Sequence, residues 1–167
     1  MYSRKSALAG FAFLMLLGIL PAGAGEFSLE GYFAGRTSAV GSFRAINGVK
    51  RAFTVELLGK WNGRTLTLVE DFAYADGERD RKTWRFEKIA PNQYRGTRED
   101  VVGDTLVTIT GNTARFTYLV DLDPARKRNR VRFHDTMTLQ DGGRLINNAT
   151  VTKFGLPVAR TRVEFSR

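Results

Sequence analysis

Two carboxylates carry the first chemical signal in this sequence, because each sits in the middle of a run whose alternate positions are apolar. In Thr65–Tyr74, Leu66, Leu68, Glu70, Phe72 and Tyr74 share one face of an extended chain, and in the run from Val131 the residues Val131, Phe133, Asp135, Met137 and Leu139 do the same. A carboxylate on such a face must be ion-paired, protonated or beside internal water, since an isolated buried charge costs more than folding supplies. Facing one another across an interior, Glu70 and Asp135 could serve as the acid and base of a glycosidase-like site. The same counting also turns cations inward: Arg51 with Val49, Phe53, Val55 and Leu57, Lys82 with Trp84 and Phe86, and Lys153 with Asn147, Ala149 and Val151. Cations beside carboxylates neutralise them rather than tune them for proton transfer. Three inward bases against two inward acids leave one positive charge over. That charge suits the carboxylate or phosphate of a bound ligand, between walls supplied by Tyr74, Trp84, Tyr118 and Phe133; the plainer account is a set of structural ion pairs.

Other chemistry finds little support. His134 is the single histidine, points outward by parity, and has no cysteine to join it, which argues against a zinc site or a Ser-His-Asp triad. No catalytic motif, cofactor fingerprint or metal-ligand spacing is present, so the expectation is a protein that binds rather than catalyses. The densest charge cluster is Arg126, Lys127, Arg128, Arg130 and Arg132, in the longest apparent connection. Such a run is either a solvated face or a contact for an anionic surface such as lipid headgroups.

The elements that must position these residues are legible from turn chemistry. Asn47-Gly48, Asn62-Gly63, Asp76-Gly77, Pro91-Asn92, Gly103-Asp104, Gly111-Asn112 and Asp141-Gly142-Gly143 separate ten strand-length runs, from 38–46 to 157–165. Asn-Gly and Asp-Gly accept the positive φ of tight hairpins, so each marks a reversal between antiparallel neighbours. The fold class is all-β: an antiparallel meander closed into a barrel of about eight to ten strands, which removes the exposed edges and leaves room for one small ligand. A two-sheet sandwich is the alternative, and only 124–130 has the length of a crossing between sheets. The glycine-broken stretch 27–35 suits a short helical turn closing one end.

At the N-terminus, basic Arg4 and Lys5, an apolar run over 7–20 and the small residues Ala22-Gly23-Ala24 form a secretory signal peptide, with cleavage expected after Ala24. Residues 25–167 then make one domain. The chain carries a formal net charge of +9, which for an exported protein points to anionic envelope lipid or an acidic small ligand rather than nucleic acid. With no cysteine there is neither a disulfide nor a lipid-modified N-terminus, so the processed protein is expected to be periplasmic or secreted and not membrane-spanning.

Several segments taken together, Leu29-Glu30-Gly31-Tyr32-Phe33, 68–78, Trp84, Tyr94-Arg95-Gly96, Asp100-Val101-Val102-Gly103, Gly111-Asn112, 133–137 and Lys153-Phe154-Gly155, make the sequence resemble a bacterial envelope family known as domain of unknown function 3833. The resemblance implies a lipocalin-like or calycin-like barrel exported to the envelope, often as a lipoprotein, and implies no reaction. The resulting expectation is a barrel binding a small hydrophobic or amphiphilic anionic ligand, such as a lipid or fatty acid. The alternative is an envelope interaction protein working through its basic loop, and a carboxylate hydrolase comes third.

Overall fold

The computed structural model describes residues 27–123 and 129–167. The expected leader with its cleavage point at Ala24, and Arg126, Lys127 and Arg128 of the basic tract, lie outside the described residues. A short helix α1 (Leu29–Phe33) precedes ten strands: β1 (Gly35–Ala45), β2 (Lys50–Trp61), β3 (Thr65–Tyr74), β4 (Arg79–Ala90), β5 (Gln93–Thr97), β6 (Thr105–Thr110), β7 (Thr113–Asp121), β8 (Arg130–Leu139), β9 (Leu145–Lys153) and β10 (Leu156–Ser166). Each strand pairs antiparallel with the next, and β1 pairs with β10 to close the barrel. Closure satisfies every edge, as the regular hairpin spacing of the sequence anticipates, and rules out the sandwich.

Alternation along the strands turns apolar side chains in and polar ones out. On β3, Leu66 and Leu68 are buried; on β6, Thr105, Val107 and Ile109 are buried between exposed neighbours. Arginine, lysine, glutamate and threonine populate the outer wall, for instance along Lys50, Thr54, Glu56 and Lys60 of β2. A polar exterior around an apolar interior is the reverse of a membrane-spanning barrel and suits a water-facing one.

One end is plugged. Ser28 caps α1, its hydroxyl accepting from the Gly31 N–H at 3.1 Å, and Phe27, Leu29, Tyr32 and Phe33 are all buried. Tyr32 donates its hydroxyl to the Phe165 carbonyl at 3.1 Å, and the Phe33 ring meets Phe165 edge-on at 5.4 Å. Glu30 accepts from Lys88 at 2.6 Å and from the Tyr94 hydroxyl at 2.5 Å, tying the helix to the wall. The helix can lie this close to β2 because position 59 is glycine: a Cβ there would stand 1.8 Å from the Phe33 carbonyl oxygen. The opposite end is the mouth, formed by the β1–β2, β3–β4 and β9–β10 turns and the facing ends of β7 and β8.

The strand bounds expected from sequence hold closely, with one consequential difference. The sequence pattern continues as a strand-like run from Gln93 to Val101, but the strand ends at Thr97, and the β5–β6 connection 98–104 runs beside β7, held by the Val102 N–H on the Leu119 carbonyl at 2.8 Å and an isolated bridge between Val101 and Val120.

Candidate functional site

Inside the barrel is a cavity of about 610 Å³, running from Leu29, Phe33 and Phe165 at the plug to Arg51 and Tyr74 at the mouth. Eight of the residues singled out from sequence, Arg51, Glu70, Tyr74, Lys82, Trp84, Tyr118, Phe133 and Asp135, line it. They come from β2, β3, β4, β7 and β8, because in each strand the inward parity runs unbroken through these positions.

Aromatic rings make the middle of the wall. Tyr118 stacks on Phe133 with centroids 5.2 Å apart and planes at 5°, and on Phe116 at 5.8 Å, while Trp84 meets Tyr118 edge-on at 5.1 Å and lies flat along Phe86 at 5.0 Å. Rings in offset and edge-to-face contact hold one another in place, giving a rigid apolar surface.

The polar part differs from the sequence expectation in three respects. First, Lys153 does not face the cavity. As the last residue of β9 it reaches along the rim, donating to Asn129 Oδ1 at 2.9 Å. Second, the surplus cation disappears. Arg51 is held by Asp76 at 2.8 Å and Glu78 at 2.6 Å, and Lys82 by Asp80 at 3.1 Å and Asp100 at 3.3 Å. Burial alone would lower the Lys82 ammonium, but the two aspartates outweigh it and raise it. Carboxylates outnumber cations along the lining, because Glu78, Asp80, Asp100 and Asp121 come from strand ends and connections that alternation within strands does not reach.

Third, the cation that matters most to the carboxylates is Arg98, on the β5–β6 connection. Its guanidinium lies 4.8 Å from the Trp84 ring centre and 5.4 Å from that of Tyr118, and Nε donates to Asp100 at 2.6 Å. Two aromatic faces and a carboxylate compensate the burial of this charge. Counting by twos from the buried Tyr94 and Gly96 leads to Arg98 and Asp100, so the signal was present although the ladder ends before them.

Glu70 accepts no hydrogen bond among the described residues. Burial pushes its carboxyl up to about 7; Arg98 opposes this, while Glu99, Asp100 and Asp135 reinforce it. Asp135 is likewise pushed up to about 7 by burial, against the pull of a hydrogen bond from Asn147 and the charge of Arg98. Asn147 Nδ2 donates to Asp135 Oδ1 at 2.5 Å, which leaves Asp135 Oδ2 and Asn147 Oδ1 buried without a partner among the described residues. Two adjacent unsatisfied acceptors on a cavity wall are suited to a donor from whatever fills the cavity.

His134 lies on the outer wall between Thr117 and Thr152. Arg130 pairs with Asp121 at 3.2 Å, and Arg132 is exposed on the outer face of β8.

Comparison with known proteins adds the following. The fold is similar to that of the S-type phycobiliprotein lyase CPES from Guillardia theta (TM-score 0.60, 9% identity, covering 84% of this chain and 93% of that one). It is also similar to Rv2717c from M. tuberculosis (TM-score 0.59, 15% identity, covering 81% and 92%). At these identities the likeness is one of fold. No curated protein matches in sequence. Residues 21–167 match the family model described as Protein of unknown function (DUF3833).

Proposed function

We propose that this chain, which belongs to the DUF3833 family of proteins of unknown function, is a non-catalytic barrel that holds one small, mostly apolar molecule in its interior. The observation that carries this reading is the cavity itself: about 610 Å³, walled by stacked aromatic rings instead of being filled by them. Volumes of this size and lining are those of small-ligand pockets. That one protein of similar fold is named a phycobiliprotein lyase is in keeping with a barrel interior put to use on a small molecule. A solid barrel acting only through its basic loop has less support, because it has no use for the hollow.

The polar end of the ligand is a hydrogen-bond donor, such as a hydroxyl, amide or amine, rather than the carboxylate or phosphate expected from the inward cations. Every lining cation has a carboxylate partner, whereas Asp135 Oδ2 and Asn147 Oδ1 have none among the described residues. A fatty acid would bring a negative charge into an interior where burial already opposes ionisation of Glu70 and Asp135 and where each lining cation has its own carboxylate partner. A hydrolytic role for this pair is also weakly supported, since acid–base catalysis separates the two proton affinities and here both lie at about 7. We place the protein in the envelope, exported by its leader and cleaved after Ala24.

Titration with two naphthalene dyes tests the reading. N-phenyl-1-naphthylamine is neutral and carries an N–H; anilinonaphthalene sulfonate is an anion of similar bulk. The neutral dye should bind more tightly and be weakened by Asn147→Leu combined with Asp135→Leu in a folded protein. Failure of both dyes, together with native mass spectra showing no co-purified small molecule, would overturn the carrier reading; a preference for the sulfonate would overturn the donor assignment alone.

A further inference from the structure

The three most exposed large apolar side chains among the described residues gather at one place on this barrel. Phe154, Ile46 and Leu156 are 92%, 78% and 68% exposed. They occupy the tips of two neighbouring hairpins at the mouth, β1–β2 and β9–β10, joined where the Ile46 N–H donates to the Val158 carbonyl at 2.9 Å. Leu122 and Val49, also exposed, stand at the same end. A single exposed leucine needs no explanation, but several on adjacent tips make a patch that water does not favour. Phe154 is moreover a non-glycine residue at positive φ (51°), a conformation that crowds its Cβ and that asparagine or glycine adopts more easily. Its ring contact among the described residues is the Lys153 ammonium at 5.9 Å, so nothing inside the fold accounts for an aromatic residue there.

The outer wall just below these tips is positive. Arg44 stands directly opposite Lys50 on one side and Arg160 on the other, three like charges in a row across β2, β1 and β10. Like charges in register destabilise a sheet, and none of the three has a carboxylate partner among the described residues. Arg132 adds a fourth exposed cation on β8, one strand further round beyond β9. Of the acids at this end, Asp76, Glu78 and Asp80 lie on the β3–β4 side, engaged with Arg51 and Lys82, and Asp100 and Asp121 are engaged with Arg98 and Arg130.

We infer that the β1–β2 and β9–β10 tips form a membrane-docking edge, in which Ile46, Phe154 and Leu156 enter the headgroup boundary of an anionic leaflet and Arg44, Lys50, Arg132 and Arg160 face its phosphates. Apolar side chains projecting beyond a ring of cations match the layering of such a surface, with anionic headgroups outside and hydrocarbon below. A nucleic acid would use the cations but offers nothing to two aliphatic tips. A protein partner would need a larger face than two hairpin ends present. The inference is independent of what the cavity holds.

The test uses protein recovered from the cells that make it, its N-terminus verified by mass to be the same in every variant. It is co-sedimented with vesicles of phosphatidylcholine alone and of phosphatidylcholine mixed with phosphatidylglycerol. Binding is expected to the mixed vesicles and to fall with salt. Replacing Arg44, Lys50 and Arg160 with serine should weaken it by about 100-fold, at roughly fivefold per cation. Phe154→Asn with Leu156→Ser should weaken it by about tenfold or more at unchanged charge. Both variants alter exposed side chains, so thermal melts at or above the wild-type value confirm that each is folded. Equal binding to neutral vesicles, no binding to either, or charge-dependent binding that ignores the Phe154 and Leu156 replacements, as an RNA-type electrostatic surface would show, each overturns the proposal.

Discussion

Replacing Glu70 with glutamine should make the barrel more stable at pH 8 and leave it nearly unchanged at pH 5. In the folded protein burial raises the Glu70 carboxyl from 4.5 to about 7, so between those values the native state holds a proton that the unfolded chain has released. Stability from this group is fully present below pH 4.5 and is lost as pH rises toward 7, because ν for the unfolded state is then the smaller. At 1.36 kcal/mol for each tenfold change in proton affinity, the interval amounts to about 3 kcal/mol. Water entering through the mouth moderates the penalty, since Glu70 is not wholly cut off from the cavity; about 2 kcal/mol is the figure to look for. At roughly 2–4 °C per kcal/mol for a domain of this size, Glu70→Gln should raise the melting temperature by about 4–8 °C at pH 8. Melts of wild type and variant every half unit from pH 4 to 9 supply the measurement. A wild-type stability that climbs through this window, or a variant whose profile runs parallel to wild type, would refute the reasoning. Asp135, raised from 3.8 to about 7, contributes with the same sign, so Glu70→Gln with Asp135→Asn should flatten the profile further.

Gly59→Ala should destabilise the barrel by about 3 kcal/mol or more, by forcing α1 off its seat, and chemical denaturation together with increased near-ultraviolet mobility of Tyr32 would register it. Phe154→Asn, in contrast, should add about 1 kcal/mol of stability by relieving the left-handed backbone while it weakens vesicle binding, a separation that calorimetry and co-sedimentation can read on one preparation. Arg98→Met should shift the ionisation of Glu70 and Asp135 further upward, seen as a steeper loss of stability between pH 5 and 8, because the cation that opposes their protonation is gone.

The sheet was legible because its period is two and its turns are chemically marked. From Leu66 to Tyr74 the ladder to β2 and β4 has no bulge, so counting from one buried leucine placed Glu70, Phe72 and Tyr74 correctly on the inner face. Asp135 followed by the same logic on β8. Counting failed where the chain leaves the ladder. Lys153 keeps the parity of Val151, yet it ends its strand at a hairpin tip, where the inward direction opens to solvent. Arg98 and Asp100 keep the parity of Tyr94, yet they belong to a connection whose path along β7 depends on contacts with Leu119, Val120 and Asp121, distant in sequence. The charge balance of the cavity therefore came out reversed: alternation sees strands, and most of the neutralising acids are at their ends. The partnership of Asn147 with Asp135 was unreadable for a related reason, since it depends on the β8–β9 register, which sets Met137 rather than Asp135 opposite Asn147 and makes the contact diagonal.

The plug formed by α1 has a consequence for traffic. A barrel sealed at one end by Phe33 and Phe165 is a cup, and whatever it holds must back out along the path by which it came in. No incoming molecule can push the occupant through, so filling and emptying are the same step run in opposite directions. The direction is then decided outside the barrel, by the concentration of ligand in the phase its rim touches.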